Sequence, residues 1–195
     1  MPPDSRPGPD SPPTDELASA EDTLGVLLQV LHTVAGDDMS RQPPCTQFNV
    51  AQLTDHLLNS ITAIGGMAGA EIPQTDENDS AERRVVSAAR PALDAWHRRG
   101  LDGSVRFGNG EMPAKGACGI LSLEFLVHAW DYARAVEHDV NGPEPLAEYV
   151  LDLARATIQP ELRSRAGFDD PFAVPEDAGA LDRLVAFTGR NPSPA

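Results

Sequence analysis

Glu124 and His128 stand one helical turn apart in an otherwise apolar run, residues 121–135, L-S-L-E-F-L-V-H-A-W-D-Y-A-R-A. Between Ile120 and Trp130 the only polar residues are Ser122, Glu124 and His128. A helix apolar on every side is a buried helix, and a buried ionisable group is costly unless it is paired or bound. At ~100° per residue, Glu124, His128, Asp131 and Ala135 share one narrow stripe, flanked by Ile120, Leu121 and Val127. An inward-facing carboxylate and imidazole at i and i+4 make half of a metal site. Asp131 beside them can accept a proton from a ligand imidazole or orient water. A plainer reading is a buried acid–imidazole pair with no metal. Such a pair contributes only ~0.2–0.5 kcal/mol on an exposed helix, too little to explain burying both groups.

A third ligand has to come from elsewhere in the chain. The other histidines are His32, His56, His97 and His138. His97 neighbours Arg98 and Arg99 near a helix end, and His138 follows Glu137 beyond the buried run, so both read as surface residues. His32 falls near the C-terminus of the first helix, where a cationic side chain suits the dipole. His56 lies at the edge of the Leu53/Leu57/Ile64 stripe, beside Ser60 and Met67. From there it can reach the interior without occupying the core seam, which makes it the choice for the missing ligand. Taken alone, a buried histidine is more often a hydrogen-bonded core residue.

The elements that must position these groups are helices. Thr14-Asp15 caps a first helix running to about residue 34 through Leu17, Leu24, Leu27, Leu28 and Leu31, with Gly36 as its stop. A connector with the Pro43-Pro44 breaker follows. Asn49 caps a second helix, whose Val50, Leu53, Leu57, Ile61 and Ile64 repeat at three and four, and Gly65-Gly66 loosens its end. Residues 71–80 read as a polar loop. A third helix over about residues 81–98 contains Pro91, which predicts a kink or break near Arg90. V-R-F-G-N-G-E-M-P predicts a short hairpin or an irregular loop. The buried helix spans about residues 117–137 and ends at Asn141-Gly142-Pro143; a fifth spans 145–158. After a loop with Phe168 and Phe172, a short last helix passes through Leu181, Leu184, Val185 and Phe187. The expected fold class is an all-α bundle of four main helices with short C-terminal helices. A tail over residues 1–13, rich in Pro, Ser and Asp, is expected to be disordered.

Length and composition agree with one domain of about residues 14–192. The chain has 195 residues, 41% of them hydrophobic and 5% aromatic. Its net charge of −15, from 30 acidic and 15 basic residues, argues against nucleic acid and anionic membrane surfaces, which need a positive field. Cys45 and Cys118 form no CxxC pair, so no disulfide framework or zinc ribbon is expected. The N-terminus lacks the apolar core of a secretory signal, and no run approaches the ~20 apolar residues of a membrane span. A cytoplasmic location is the expectation.

Two boxes and a C-terminal ending carry a family resemblance. P-P-C-T-Q-F-N-V-A-Q-L-T-D-H-L (residues 43–57), E-F-L-V-H-A-W-D-Y-A-R-A (124–135) and the ending L-V-A-F-T-G-R-N-P (184–192) resemble the actinobacterial metal-binding proteins related to the N-terminal domain of mycothiol-dependent maleylpyruvate isomerase. These belong to the DinB/YfiT-like superfamily. The resemblance implies a DinB-like four-helix bundle holding a divalent metal, usually zinc with nickel as the alternative, by His56, Glu124 and His128. It also implies a low-molecular-weight thiol, mycothiol or a relative, as cosubstrate, and allows a homodimer through helix faces. Phe48 stands where the family box usually has Trp. The isomerase carries a second, sterol-carrier-like domain, and no counterpart is expected within residues 14–192, so the expectation is thiol chemistry rather than maleylpyruvate isomerisation itself.

Two imidazoles and one carboxylate are the three-ligand pattern of an open zinc site. Such a site can lower a thiol's pKa from ~8.5 or ionise water for hydrolysis. The resemblance favours the thiol, attacking a small electrophile in an S-transfer, conjugation or isomerisation. Arg134 is a candidate for a substrate carboxylate, or makes a surface pair. Cys118, one and a half turns before Glu124, is the residue to examine as a fourth ligand. The alternative is a non-catalytic bundle that holds metal or a small ligand.

Overall fold

The structure, a computed structural model, describes residues 11–45, 47–160, 163 and 168–193. Of the expected tail, residues 1–10 lie outside these, as does part of the loop before the last helix. Among the described residues the order is α1 (Glu16–Leu31), a 3-10 turn, α2 (Val50–Met67), α3 (Ala81–Arg99), β1 (Ser104–Phe107), β2 (Gly110–Pro113), α4 (Ala114–Ala135), α5 (Glu144–Thr157) and α6 (Ala180–Phe187). The chain is mostly helical with one small sheet, so "all-α" is corrected to that extent. The G-N-G sequence is the reason: Phe107 pairs with Gly110 across Gly108-Asn109, and Gly108 takes φ +58°, which a tight hairpin needs at its first turn position.

Side-chain caps at Asp15, Asn49 and Ser80 start the first three helices. Asp15 accepts from the Ala18 amide at 2.8 Å. Asn49 and Gln52 cap one another's backbone, at 2.9 and 3.0 Å, in a capping box that stabilises the start of α2 by about 1 kcal/mol. The connector is pinned beside it, with the Val50 and Ala51 amides donating to the carbonyls of Arg41 and Met39. α3 runs through Pro91 as one helix, where a kink or break is the expectation from sequence. Gly65 has a packing role: a Cβ there would lie 2.7 Å from the Cβ of Ala92, so this glycine lets α2 and α3 approach closely.

α1, α2, α3 and α4 close a ring, α1 on α4, α4 on α2, α2 on α3 and α3 on α1. Asp55 meets Arg84 and Gly65 meets Ala92, so α2 and α3 run parallel and need the long crossover of residues 68–80. Glu21–His97 and His32–Glu82 pairs set α1 and α3 antiparallel. α4 is the innermost helix, packed by α1, α2, α5 and the hairpin. Its Leu121, Phe125, Leu126, Ala129 and Tyr132 are fully buried. Among the described residues, no helix is long and apolar enough to cross a membrane.

Candidate metal centre

α2 and α4 bring the candidate ligands together. Thr54 and Tyr132 hydroxyls hydrogen-bond at 2.9 Å, deep between the two helices. Two residues further along α2, His56 faces the middle of α4. Its Nε2 lies 3.5 Å from Glu124 Oε2, and His128 Nε2 lies 3.5 Å from the same oxygen. One ligand atom from each of the three residues falls within 4.8 Å of the others. The two imidazoles meet edge to face, with centroids 5.3 Å apart. The outer side of His56 is stacked on Phe48, at 5.1 Å and 22°. His128 is buried, while the His56 side chain is 37% exposed, so the cluster opens toward solvent on the α2 side.

The spacing is informative. At 3.5 Å the imidazoles are beyond a good N–H···O hydrogen bond, and buried Glu124 Oε2 has no hydrogen-bond partner among the described residues. Two ligands each ~2.0–2.1 Å from a tetrahedral cation stand ~3.4 Å apart. The donor set therefore fits a cation better than it fits a hydrogen-bonded triad. Nitrogen, nitrogen and carboxylate oxygen are also the donor types that zinc takes in open sites.

Asp131 sits behind His128. Its Oδ2 is 2.9 Å from His128 Nδ1, which then carries the hydrogen and leaves Nε2 to face Glu124. Burial opposes charge on all three groups, and the neighbours outweigh it. The Asp131 and Glu124 carboxylates push His128 up to about 9. The two imidazoles hold Glu124 well below the usual carboxylate range. His128 and Arg190 hold Asp131 down.

Arg190 is the residue that the sequence did not single out. It follows α6, and its guanidinium clasps Asp131: Nε lies 2.9 Å from Oδ1, Nη2 2.7 Å from Oδ2. A buried aspartate asks for a countercharge, which is a signal in the sequence, but it does not select one among 15 basic residues. Arg134 does not join the cluster. It is exposed, donates to the Pro192 carbonyl at 2.7 Å and lies 5.1 Å over the Trp130 ring. Cys118 is buried outside the cluster, its thiol pushed up to about 12 by burial and by Glu16, Asp15 and Glu21. His138 is exposed, and His32 and His97 pair with Glu82 and Glu21 at the surface.

Three clefts of about 630, 440 and 350 Å³ lie elsewhere on the molecule. The largest runs along α1 from Pro13 to Gln29, against Asn141 and Leu146. None of the three is lined by His56, Glu124 or His128.

No family model and no solved structure matches the chain. It is similar to uncharacterized proteins from two strains of Mycobacterium tuberculosis, each 27% identical over 178 residues, which cover 90% of this chain and 98% of the relative. The similarity thus extends over nearly the whole of both proteins, with their functions unassigned.

Proposed function

We propose that this protein binds a divalent metal, zinc or else nickel, through His56, Glu124 and His128, within a DinB/YfiT-like helical bundle. The reading continues to a thiol-dependent S-transferase or isomerase, with a mycothiol-like thiol and a small electrophile as substrates. One observation carries the metal assignment: two imidazole nitrogens converge at 3.5 Å on a buried carboxylate oxygen that lacks a hydrogen-bond partner among the described residues. Three protein ligands leave a coordination position for an exogenous group. When bound, such a cation supplies the Lewis acidity that keeps a thiol ionised near neutral pH. Asp131 keeps the Nδ1 hydrogen on His128, so that Nε2 offers its lone pair to the site. Arg134 is the candidate partner for a substrate carboxylate, and it would have to release Pro192 to act.

A second reading, a binding bundle without turnover, is favoured by the position of the clefts. Three clefts are each lined by residues other than the triad and offer space for a small ligand away from it. Elemental analysis of protein purified without a histidine tag tests the metal assignment, and near-zero zinc and nickel would end it. His56→Ala and His128→Ala should each remove most of the metal and leave the helical content near wild type; retention of metal in both refutes the ligand set. Turnover separates the two readings. Metal-loaded protein that neither conjugates nor isomerises an electrophile with any of several thiols, and hydrolyses nothing, leaves only the binding bundle.

A further inference from the structure

We infer that Arg190 is a positioning residue of the metal centre: acting through Asp131, it holds the His128 imidazole in its ligand orientation. The segment that follows α6 is then part of the site. The inference rests on the metal reading above and adds a residue to it.

Arg190 is delivered by backbone chemistry. α6 ends in a Schellman stop, with the Gly189 amide donating to Ala186 and the Arg190 amide to Val185, both at 3.0 Å. Gly189 has φ +89°, and a Cβ there would meet Asp169 at 2.7 Å, so glycine is required on both counts. The turn reverses the chain and lays Arg190 against α4. A further contact, Arg134 Nη2 to the Pro192 carbonyl, ties down the residues that follow.

Its contact with Asp131 leaves that carboxylate little freedom. Nε spans both oxygens, at 2.9 and 3.1 Å, while Nη2 reaches Oδ2 at 2.7 Å. The same Oδ2 accepts from His128 Nδ1. The Asp131 side chain is fully buried and that of Arg190 is 11% exposed, so water does not substitute readily for either partner. Among the described residues, Asp131 hydrogen-bonds through its side chain to His128 and Arg190 alone. Without the guanidinium, only His128 would orient the carboxylate that is meant to orient His128. Ring orientation set by such an outer partner typically changes metal affinity by about 10- to 100-fold.

The test uses the full-length protein and cobalt(II), with affinity read by competition against a chromophoric chelator and geometry by the visible spectrum of bound cobalt. Arg190→Gln should weaken cobalt binding by about tenfold or more and alter the spectrum, and Arg190→Lys should recover part of the loss. Asp131→Asn should weaken binding similarly. If Arg190 acts through Asp131, the paired variant Asp131→Asn/Arg190→Gln binds no worse than Asp131→Asn alone. Losses that multiply in the paired variant, or an Arg190→Gln protein that binds as wild type does, overturn the inference and leave the ligand assignment standing. Wild-type protein without affinity for cobalt overturns both. Should Arg190→Gln fail to fold, the comparison of Asp131→Asn with the paired variant still decides, because that pair is neutral at both positions.

Discussion

Metal binding to this protein should expel a proton from His128, and affinity should therefore climb with pH well beyond the range of an ordinary histidine. In the metal-free protein the two carboxylates raise His128 from 6.5 to about 9. Each pKa unit is worth ~1.4 kcal/mol, so the imidazolium is favoured by about 3 kcal/mol over its ordinary balance. At pH 7 the ring is then ~99% protonated, and this proton alone weakens apparent affinity ~100-fold relative to the deprotonated ring. Between pH 7 and 9 the dissociation constant should fall by about one decade per unit. Isothermal titration with zinc at pH 7.5, in buffers of different ionisation enthalpy, should count about one proton released from this ring. Asp131→Asn removes one of the two carboxylates that favour the imidazolium, and with it the stronger hydrogen bond, so both the count at pH 7.5 and the steepness above pH 7 should decrease. Affinity that stays flat from pH 7 to 9, with no proton released, would refute the reasoning.

The same groups set the pH window of the metal-free fold. The His128 contribution is fully present below pH ~6.5 and is lost as pH rises through about 9, because its folded pKa is raised. Those of Glu124 and Asp131 are present above their ordinary values of 4.5 and 3.8 and are lost as pH falls, because their folded pKa values are lowered. Thermal melts of chelator-treated protein should peak between about pH 5 and 6.5, and a melting temperature that still rises from pH 7 to 9 would contradict this. At the α2–α3 contact, Gly65→Ala should cost about 1–3 kcal/mol, because the new methyl meets Ala92 at 2.7 Å. Gly66→Ala, with nothing within 4 Å, should be neutral or stabilising by up to ~1 kcal/mol. Denaturant melts of the two variants check the contrast, and equal midpoints would exclude the close approach.

How much was legible in sequence follows from the range of each interaction. Asn49 with Gln52, and Gly108 with Asn109, act over two to four residues, so the α2 start could be read directly and the hairpin stood as one of two readings, beside an irregular loop. Of the kink or break that Pro91 suggests, the break does not occur, because tertiary packing holds α3 together on both sides of it: Ala88, Ala89 and Ala92 are buried. The packing role of Gly65 was not legible because its partner, Ala92, is distant in sequence.

The candidate centre divides along the same line. Glu124, His128 and Asp131 lie within two turns of one helix, whose periodicity alone places them on a common face. His56 was chosen by eliminating the other histidines, yet its convergence on Glu124 depends on how α2 seats against α4, a packing outcome that no local pattern encodes. Arg190 lies 59 residues from Asp131, and a Schellman turn after α6 brings them together. Sequence by itself determined which face of α4 is chemically loaded, because helical geometry is local. Tertiary structure decided what meets that face, because charge pairing across a core depends on where distant segments come to rest.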